Sequence, residues 1–158
     1  SPVSDVNHAR EEVEATIAEY VALRRQIDDK RGKWSDLARF FTDDAVFIDP
    51  AHGRVEGLAA ITAFLDDSMV GLDDWLFPIE FTAVAGNDVA VKWTQVLPNG
   101  TRQSGWSRMI YAGSGKFRYE EDLLNMAHVL EDMKSMRWRP VDGFLAPPAE
   151  PNRDFSVP

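Results

Sequence analysis

An aspartate ends an apolar run and stands against a proline in Ala45-Val46-Phe47-Ile48-Asp49-Pro50. A carboxylate there is costly to bury unless it is paired or its pKa is raised. Pro50 fixes its own φ and holds Asp49 extended, so the carboxylate is aimed rather than mobile. A general base is presented in this way at the mouth of an apolar cavity. The plainer role is a cap on the turn from Pro50 to Gly53, and both readings stand open on the sequence. A second acidic run is Lys116-Phe117-Arg118-Tyr119-Glu120-Glu121-Asp122-Leu123-Leu124-Asn125. Strand alternation puts Phe117, Tyr119, Glu121 and Leu123 on one face and Arg118, Glu120, Asp122 and Leu124 on the other. Residue type alone buries the first set and solvates the second.

Other groups carry weaker signals. Tyr20 is either a core tyrosine or a phenol aimed at a developing enolate. His8, His52 and His128 are scattered without ligand spacing, and only His52, three residues after Asp49, falls near the expected site. Asp43-Asp44, Asp66-Asp67 and Asp73-Asp74 lack a calcium-loop pattern, so no metal is expected. Gly113-Ser114-Gly115 reads as a hairpin turn, since no helix follows to cradle a phosphate. No nucleophile-elbow pattern is visible. Trp75, Trp93, Trp106, Met109 and Tyr111 could line an apolar pocket, with Ser107, Met109 and Tyr111 sharing one face.

These residues need elements to position them. Ala9, Val13, Ile17, Tyr20, Arg24 and Ile27 recur at three and four, which predicts a helix from Asp5 to about Asp28, capped by Ser4 or Asp5. Ser35 opens a short helix with Leu37, Ala38 and Phe41 inward. Asp43-Asp44 ends it, and Ala45 to Asp49 is the first strand. Gly57 opens a third helix with Leu58, Ile61, Phe64 and Leu65 on one face. Four strands follow at hairpin spacing, roughly 76–84, 89–97, 101–111 and 116–124. A last helix spans about 125–137. The segment 139–158 holds Pro140, Pro147, Pro148, Pro151 and Pro158, and is expected either to wrap over the domain or to trail free. The organisation is thus a domain at 1–138 and a Pro-rich tail at 139–158. Helices followed by a run of antiparallel strands make an α+β fold, a curved sheet around the long first helix.

The totals narrow the function. With 158 residues, 44% of them hydrophobic, the chain can close a substantial core. It has no cysteine, which removes disulfides, thiol nucleophiles and thiolate metal sites. A net charge of −9 without a basic cluster argues against nucleic acid as a partner. No membrane-length apolar run and no signal-peptide pattern occur, which points to a cytoplasmic protein.

Helix, Phe40-Phe41-Thr42-Asp43-Asp44-Ala45, strand, Asp49-Pro50, Gly53-x-x-x-Gly57 and a second helix together resemble the opening of an NTF2-like domain. More narrowly they resemble its SnoaL-like and ketosteroid-isomerase-like branches, over about residues 9–133. The resemblance implies a cone-shaped barrel whose concave sheet and first helix enclose a pocket. In ketosteroid isomerases the Asp-Pro aspartate, here Asp49, is the base that moves a proton α to a carbonyl. A tyrosine followed by valine on helix one, here Tyr20-Val21, stabilises the oxyanion. A protonated acid is the second oxyanion donor there, and Ser107 occupies its place in this chain. Limonene-epoxide-hydrolase-like and SnoaL-like cyclases carry an aspartate that points into the cavity just before the last helix, which falls on Asp122. The epoxide hydrolases also place Arg-x-Asp before the Leu-Pro-x-Gly turn. Here that stretch reads Ala90-Val91-Lys92, so their mechanism is not expected.

The resemblance therefore implies a cofactor-independent isomerase, cyclase or dehydratase. Its substrate would be a small hydrophobic carbonyl compound of polyketide, steroid or terpenoid type. Asp49 and Asp122 would move protons, Tyr20 and Ser107 would hold the enolate oxygen, and Glu120 would tune Asp122. Met109, Tyr111, Trp106 and His52 would contact the substrate. The convex sheet face, with Phe117 and Tyr119, would pair with a second copy in a homodimer. The alternative is a non-catalytic module of the same fold that binds a small ligand or a protein.

Overall fold

The computed structural model describes residues 6–158. Helix α1 (Arg10–Asp28) turns Val13, Thr16, Ile17, Tyr20, Arg24 and Ile27 inward, at the spacing of the sequence stripe. It starts after Ala9, which makes no side-chain cap, with Glu11 and Glu12 in the first turn. Their carboxylates sit at the positive end of the helix dipole. The caps expected at Ser4 or Asp5 lie outside the described residues.

A 3-10 helix (Trp34–Phe40) leads directly into β1 (Phe41–Asp49). The strand begins earlier than expected, because Asp43 and Asp44 do not break the chain. They lie in its exposed stretch, while Ala45 to Ile48 are buried. β2 (Gly53–Glu56) folds back on β1, and α2 (Leu58–Asp67) buries Ile61, Phe64 and Leu65. Three hairpin-linked strands follow, β3 (Ile79–Ala85), β4 (Asp88–Val96) and β5 (Arg102–Gly113), and then β6 (Lys116–Leu124). Leu76, expected inside β3, makes only an isolated bridge to Val96. Helix α3 (Met126–Ser135) ends the domain, capped by Asn125, whose side chain accepts from the His128 N–H. Among the described residues no helix is long and apolar enough to cross a membrane.

The sheet order is β2-β1-β6-β5-β4-β3. All neighbours are antiparallel except β1 and β6, so the sheet is mixed rather than purely antiparallel. α1 lies against its concave face over the main core. A small second cluster of Val46, Ile48, Ile110 and Tyr119 occupies the outer face.

A bulge changes which way β6 points. Ile110 pairs with Tyr119 and Tyr111 with Phe117, which leaves Arg118 without a partner in the ladder. An extra residue reverses the parity of a strand. Phe117 therefore enters the main core while Tyr119 belongs to the outer cluster. Strict alternation had put the two on one face.

The segment after α3 wraps the domain. Gly53 forms a parallel bridge to Asn152, and the Arg54 guanidinium donates to the carbonyls of Asp154 (2.9 Å) and Ser156 (2.7 Å). Arg118 donates to the Pro158 carbonyl at 2.7 Å. Tyr119 donates to Glu121 at 2.7 Å and lies 3.3 Å from the Phe155 carbonyl. The chain itself thus covers the outer face at Tyr119, where a second copy was expected. Phe81, Trp106 and Leu123 remain exposed.

Candidate active site

The end of β1, the second half of β6, α1, β4 and α3 converge on one cavity of about 390 Å³. Its wall is largely aromatic and aliphatic, including Trp34, Trp75, Phe77, Trp93 and Met133. Phe144 and Pro147 of the C-terminal segment complete it. Into this apolar space project Tyr20, Arg24, Asp49, His52, Gln95, Glu120 and Asp122.

Past the bulge, β6 sends Glu120, Asp122 and Leu124 into the cavity. Three members of the second set therefore face the cavity, against the residue-type reading, while Phe117 and Tyr119 of the first set are buried as that reading had it. Glu120 is only 3% exposed. Burial pushes its carboxyl well above the usual range, and the charge of Asp122 and a hydrogen bond with it push it further. Burial also raises Asp122, but hydrogen bonds from Glu120 and Ser107 hold part of that rise back. The two carboxyls form one coupled unit, in which Glu120 keeps the proton and Asp122 is the ionised member.

Asp122 is aimed by a relay from the neighbouring strands. The Trp93 indole N–H donates to the Ser107 hydroxyl at 2.9 Å, and that hydroxyl donates to Asp122 Oδ1 at 2.5 Å. Ser107 has spent its single proton and lies behind Asp122, so it cannot also donate to a ligand oxygen. It positions the carboxylate instead. Gly105 makes room for this relay, since a Cβ there would stand 2.4 Å from the Trp93 ring.

Tyr20 and Arg24 stand one turn apart on α1. Arg24 donates to the Tyr20 hydroxyl and to the Phe77 carbonyl, each at 2.9 Å. The phenol oxygen accepts from the guanidinium, and its own proton has no acceptor among the described residues. Burial raises the phenol's pKa, so it stays protonated as a donor. The guanidinium also lies over the Trp34 ring, 5.3 Å from its centroid.

Asp49 fulfils the turn-cap reading and lines the cavity as well. Its Oδ2 accepts from the N–H groups of Ala51 (2.9 Å) and His52 (2.8 Å). The same oxygen lies 3.0 Å from His52 Nδ1, and His52 Nε2 is 3.1 Å from the Leu145 carbonyl. Both ring nitrogens face acceptors, which only the imidazolium satisfies. The hydrogen bond to Asp49 accordingly raises His52 above its ordinary value. Among the described residues nothing bonds Asp49 Oδ1.

Three residues expected to contact substrate lie elsewhere. Met109 is fully buried in the main core beneath α1. Tyr111 shares that face but stands far along β5, where its hydroxyl donates to Glu12 at 2.5 Å and accepts from the Gly115 N–H at 3.0 Å. Trp106 alternates with Ser107 and so faces outward against Phe81, 41% exposed. The reverse omission concerns Arg24 and Gln95. A charged residue on the otherwise apolar stripe of α1 was the available signal for Arg24. Gln95 gave none, because its neighbours in β4 do not mark which face is concave. Among the described residues, no group of three or more His, Asp or Glu side chains is disposed to hold a metal ion.

Comparison with known proteins places the chain in a family. The SnoaL-like domain family matches residues 9–118. No curated protein matches the chain. Solved structures are similar at low sequence identity. An NTF2-like protein of unknown function from Mesorhizobium loti is 17% identical, over 76% of this chain and 98% of that one, with a TM-score of 0.58. A steroid delta-isomerase from Pseudomonas aeruginosa is 18% identical over 86% and 93%, with a TM-score of 0.57. TerC, crystallised with polyporic acid, is 18% identical over 75% and 98%, with a TM-score of 0.61. On the match to most of its domain, the chain belongs to the SnoaL-like family, and its fold is NTF2-like.

Proposed function

We propose that this protein is a cofactor-independent acid/base enzyme that moves a proton α to the carbonyl of a small hydrophobic substrate. The observation that carries this reading is the coupled Glu120–Asp122 pair, facing an apolar cavity that the Tyr20 phenol also lines. Two carboxyls forced to different protonation states supply an acid and a base at one pH.

Asp122, ionised and oriented by Ser107, takes a proton from the carbon α to the carbonyl. The C–H electron pair moves into the carbonyl and leaves an enolate oxygen. Tyr20 donates its free proton as a hydrogen bond to that oxygen, and Arg24 keeps the phenol in place. Glu120 returns a proton to carbon, so the pair ends the cycle with one proton, now on Asp122. The hydrogen bond between the two carboxyls restores the starting state. Asp49 was the first candidate for the base. It is the weaker one, because its Oδ2 is engaged by two N–H groups and an imidazolium. It shapes the mouth of the cavity and contributes its charge. Membership of a family that includes isomerases and cyclases supports the reaction class.

Exchange of α protons for deuterium in D₂O, followed by NMR on 2-acetonaphthone, tests the reading. The wild type should accelerate exchange, and Asp122→Asn and Glu120→Gln should each abolish the acceleration. Equal exchange rates in wild type and both variants would reject it.

A further inference from the structure

Two buried donors in the cavity wall lack an acceptor among the described residues: Arg24 Nε and Gln95 Nε2. Arg24 is 6% exposed and Gln95 4%. They sit at the same end of the cavity. Leu76 bridges Val96 and Ile79 pairs with Trp93, which sets Phe77 opposite Gln95, and Phe77 is the residue whose carbonyl accepts from Arg24. The guanidinium is held rigid by its bonds to Tyr20 and Phe77 and by the Trp34 ring. Among the described residues it makes no ion pair.

A buried N–H without a partner is rare in folded proteins, and a buried cation without a paired anion rarer still. Two such donors at one end of one cavity mark a place for acceptor oxygens. A guanidinium presents a planar fork that matches a carboxylate, and its remaining N–H groups are free for one. A neutral ketone would satisfy one donor and leave the cation unpaired. A carboxylate satisfies the fork and offers its second oxygen to the Gln95 amide.

We infer that the Arg24–Gln95 end of the cavity binds the carboxylate of a hydrophobic aromatic acid. The substrate class is then an aromatic keto acid rather than a neutral ketone. The keto part of that statement rests on the acid/base reading above, whereas the anion site does not. An anion at Arg24 also acts on the acid pair, because the guanidinium's positive charge opposes the rise of both carboxyls. Neutralising that charge tightens proton binding at Glu120 and Asp122. Binding of the acid therefore takes up protons from solution.

Cavity tryptophans report binding of 2-naphthoate and of its neutral counterpart 2-acetonaphthone, and calorimetry in two buffers reports proton uptake. The wild type should bind the carboxylate at least about tenfold more tightly than the ketone, as a charge-assisted bond implies, and take up protons on binding it. Gln95→Leu, which replaces the amide with an apolar group of similar size, should weaken naphthoate about tenfold and leave the ketone unchanged. Arg24→Met should abolish the preference. Equal or tighter binding of the ketone by wild type, no binding of naphthoate, or an unchanged ratio in Gln95→Leu would each overturn the inference. Deuterium exchange separates the two readings. Exchange of the ketone without a preference for naphthoate rejects the anion site alone. A preference without exchange rejects the acid/base reading alone.

Discussion

His52 meets Asp49 through both backbone and ring: its N–H and its Nδ1 reach the same carboxylate oxygen, at 2.8 and 3.0 Å. The other ring nitrogen faces the Leu145 carbonyl at 3.1 Å. One side chain thus joins the putting-in-place of Asp49 to the docking of the C-terminal segment.

A histidine whose folded-state pKa is raised stabilises the fold fully below its unfolded value and loses that contribution as pH rises through the raised value. The His52 ring should titrate above an ordinary histidine in an NMR titration of its ring protons. Asp49→Asn should bring it back down and flatten the alkaline loss of stability. An unchanged His52 titration in that variant would show that the pair does not set its protonation.

Glu120 behaves in the opposite sense to a salt-bridged carboxylate. Its proton is bound more tightly in the folded chain, so stability falls as pH climbs from the ordinary glutamate range through the raised value. Glu120→Gln removes this penalty and keeps a polar group of the same shape. The variant should lose turnover yet gain about 1–2 kcal/mol at pH 8, read from urea unfolding. A variant destabilised at pH 8 would contradict a buried, protonated Glu120.

Gly105→Ala tests the relay behind Asp122. The new methyl would meet the Trp93 ring at 2.4 Å and push the indole off Ser107. Overpacking of this kind costs about 1–3 kcal/mol. The expected signature is a fall in kcat with a smaller change in KM, together with altered tryptophan emission. Unaltered kcat would detach the relay from the chemistry.

Gly53→Ala tests the docking of the C-terminal segment. Gly53 has φ +81°, and a Cβ there would lie 2.5 Å from the Asn152 carbonyl oxygen. The substitution should cost at least about 1 kcal/mol and expose the segment beyond residue 139 to limited proteolysis. Protection equal to that of the wild type would show that the bridge to Asn152 does not hold the segment.

Element types and order were legible in the sequence because hydrophobic period and turn residues are local signals. The α1 stripe from Val13 to Ile27, the α2 face and the three hairpin turns fall where spacing put them, while Ala9, read as the first of that stripe, is exposed ahead of the helix. Asp49-Pro50 marked the mouth of the cavity for the same reason. Met109 and Tyr111 were misplaced because a shared face does not say how far along a curved sheet a cavity extends, and Trp106 because alternation with Ser107 turns it to the other face. Ser107 was taken for a donor to ligand because the sequence does not show where a hydroxyl spends its proton. Arg24 and Gln95 become conspicuous only when their missing partners can be seen in three dimensions.

The unpaired residue at Arg118 gives β6 two phases, one before it and one after. The half that feeds the core and the half that carries Glu120 and Asp122 are joined out of step. Phe117 and Glu120, three positions apart in sequence, share the concave face only because the strand is bulged between them. Straightening the bulge at unchanged length would leave every side chain of the acid pair intact and turn both carboxyls out of the cavity, whereas deletion of Arg118 would restore regular alternation with Phe117 and Glu120 still on one face. The facing of the acid pair is held by an irregularity of the backbone, which a scan of side-chain truncations would pass over.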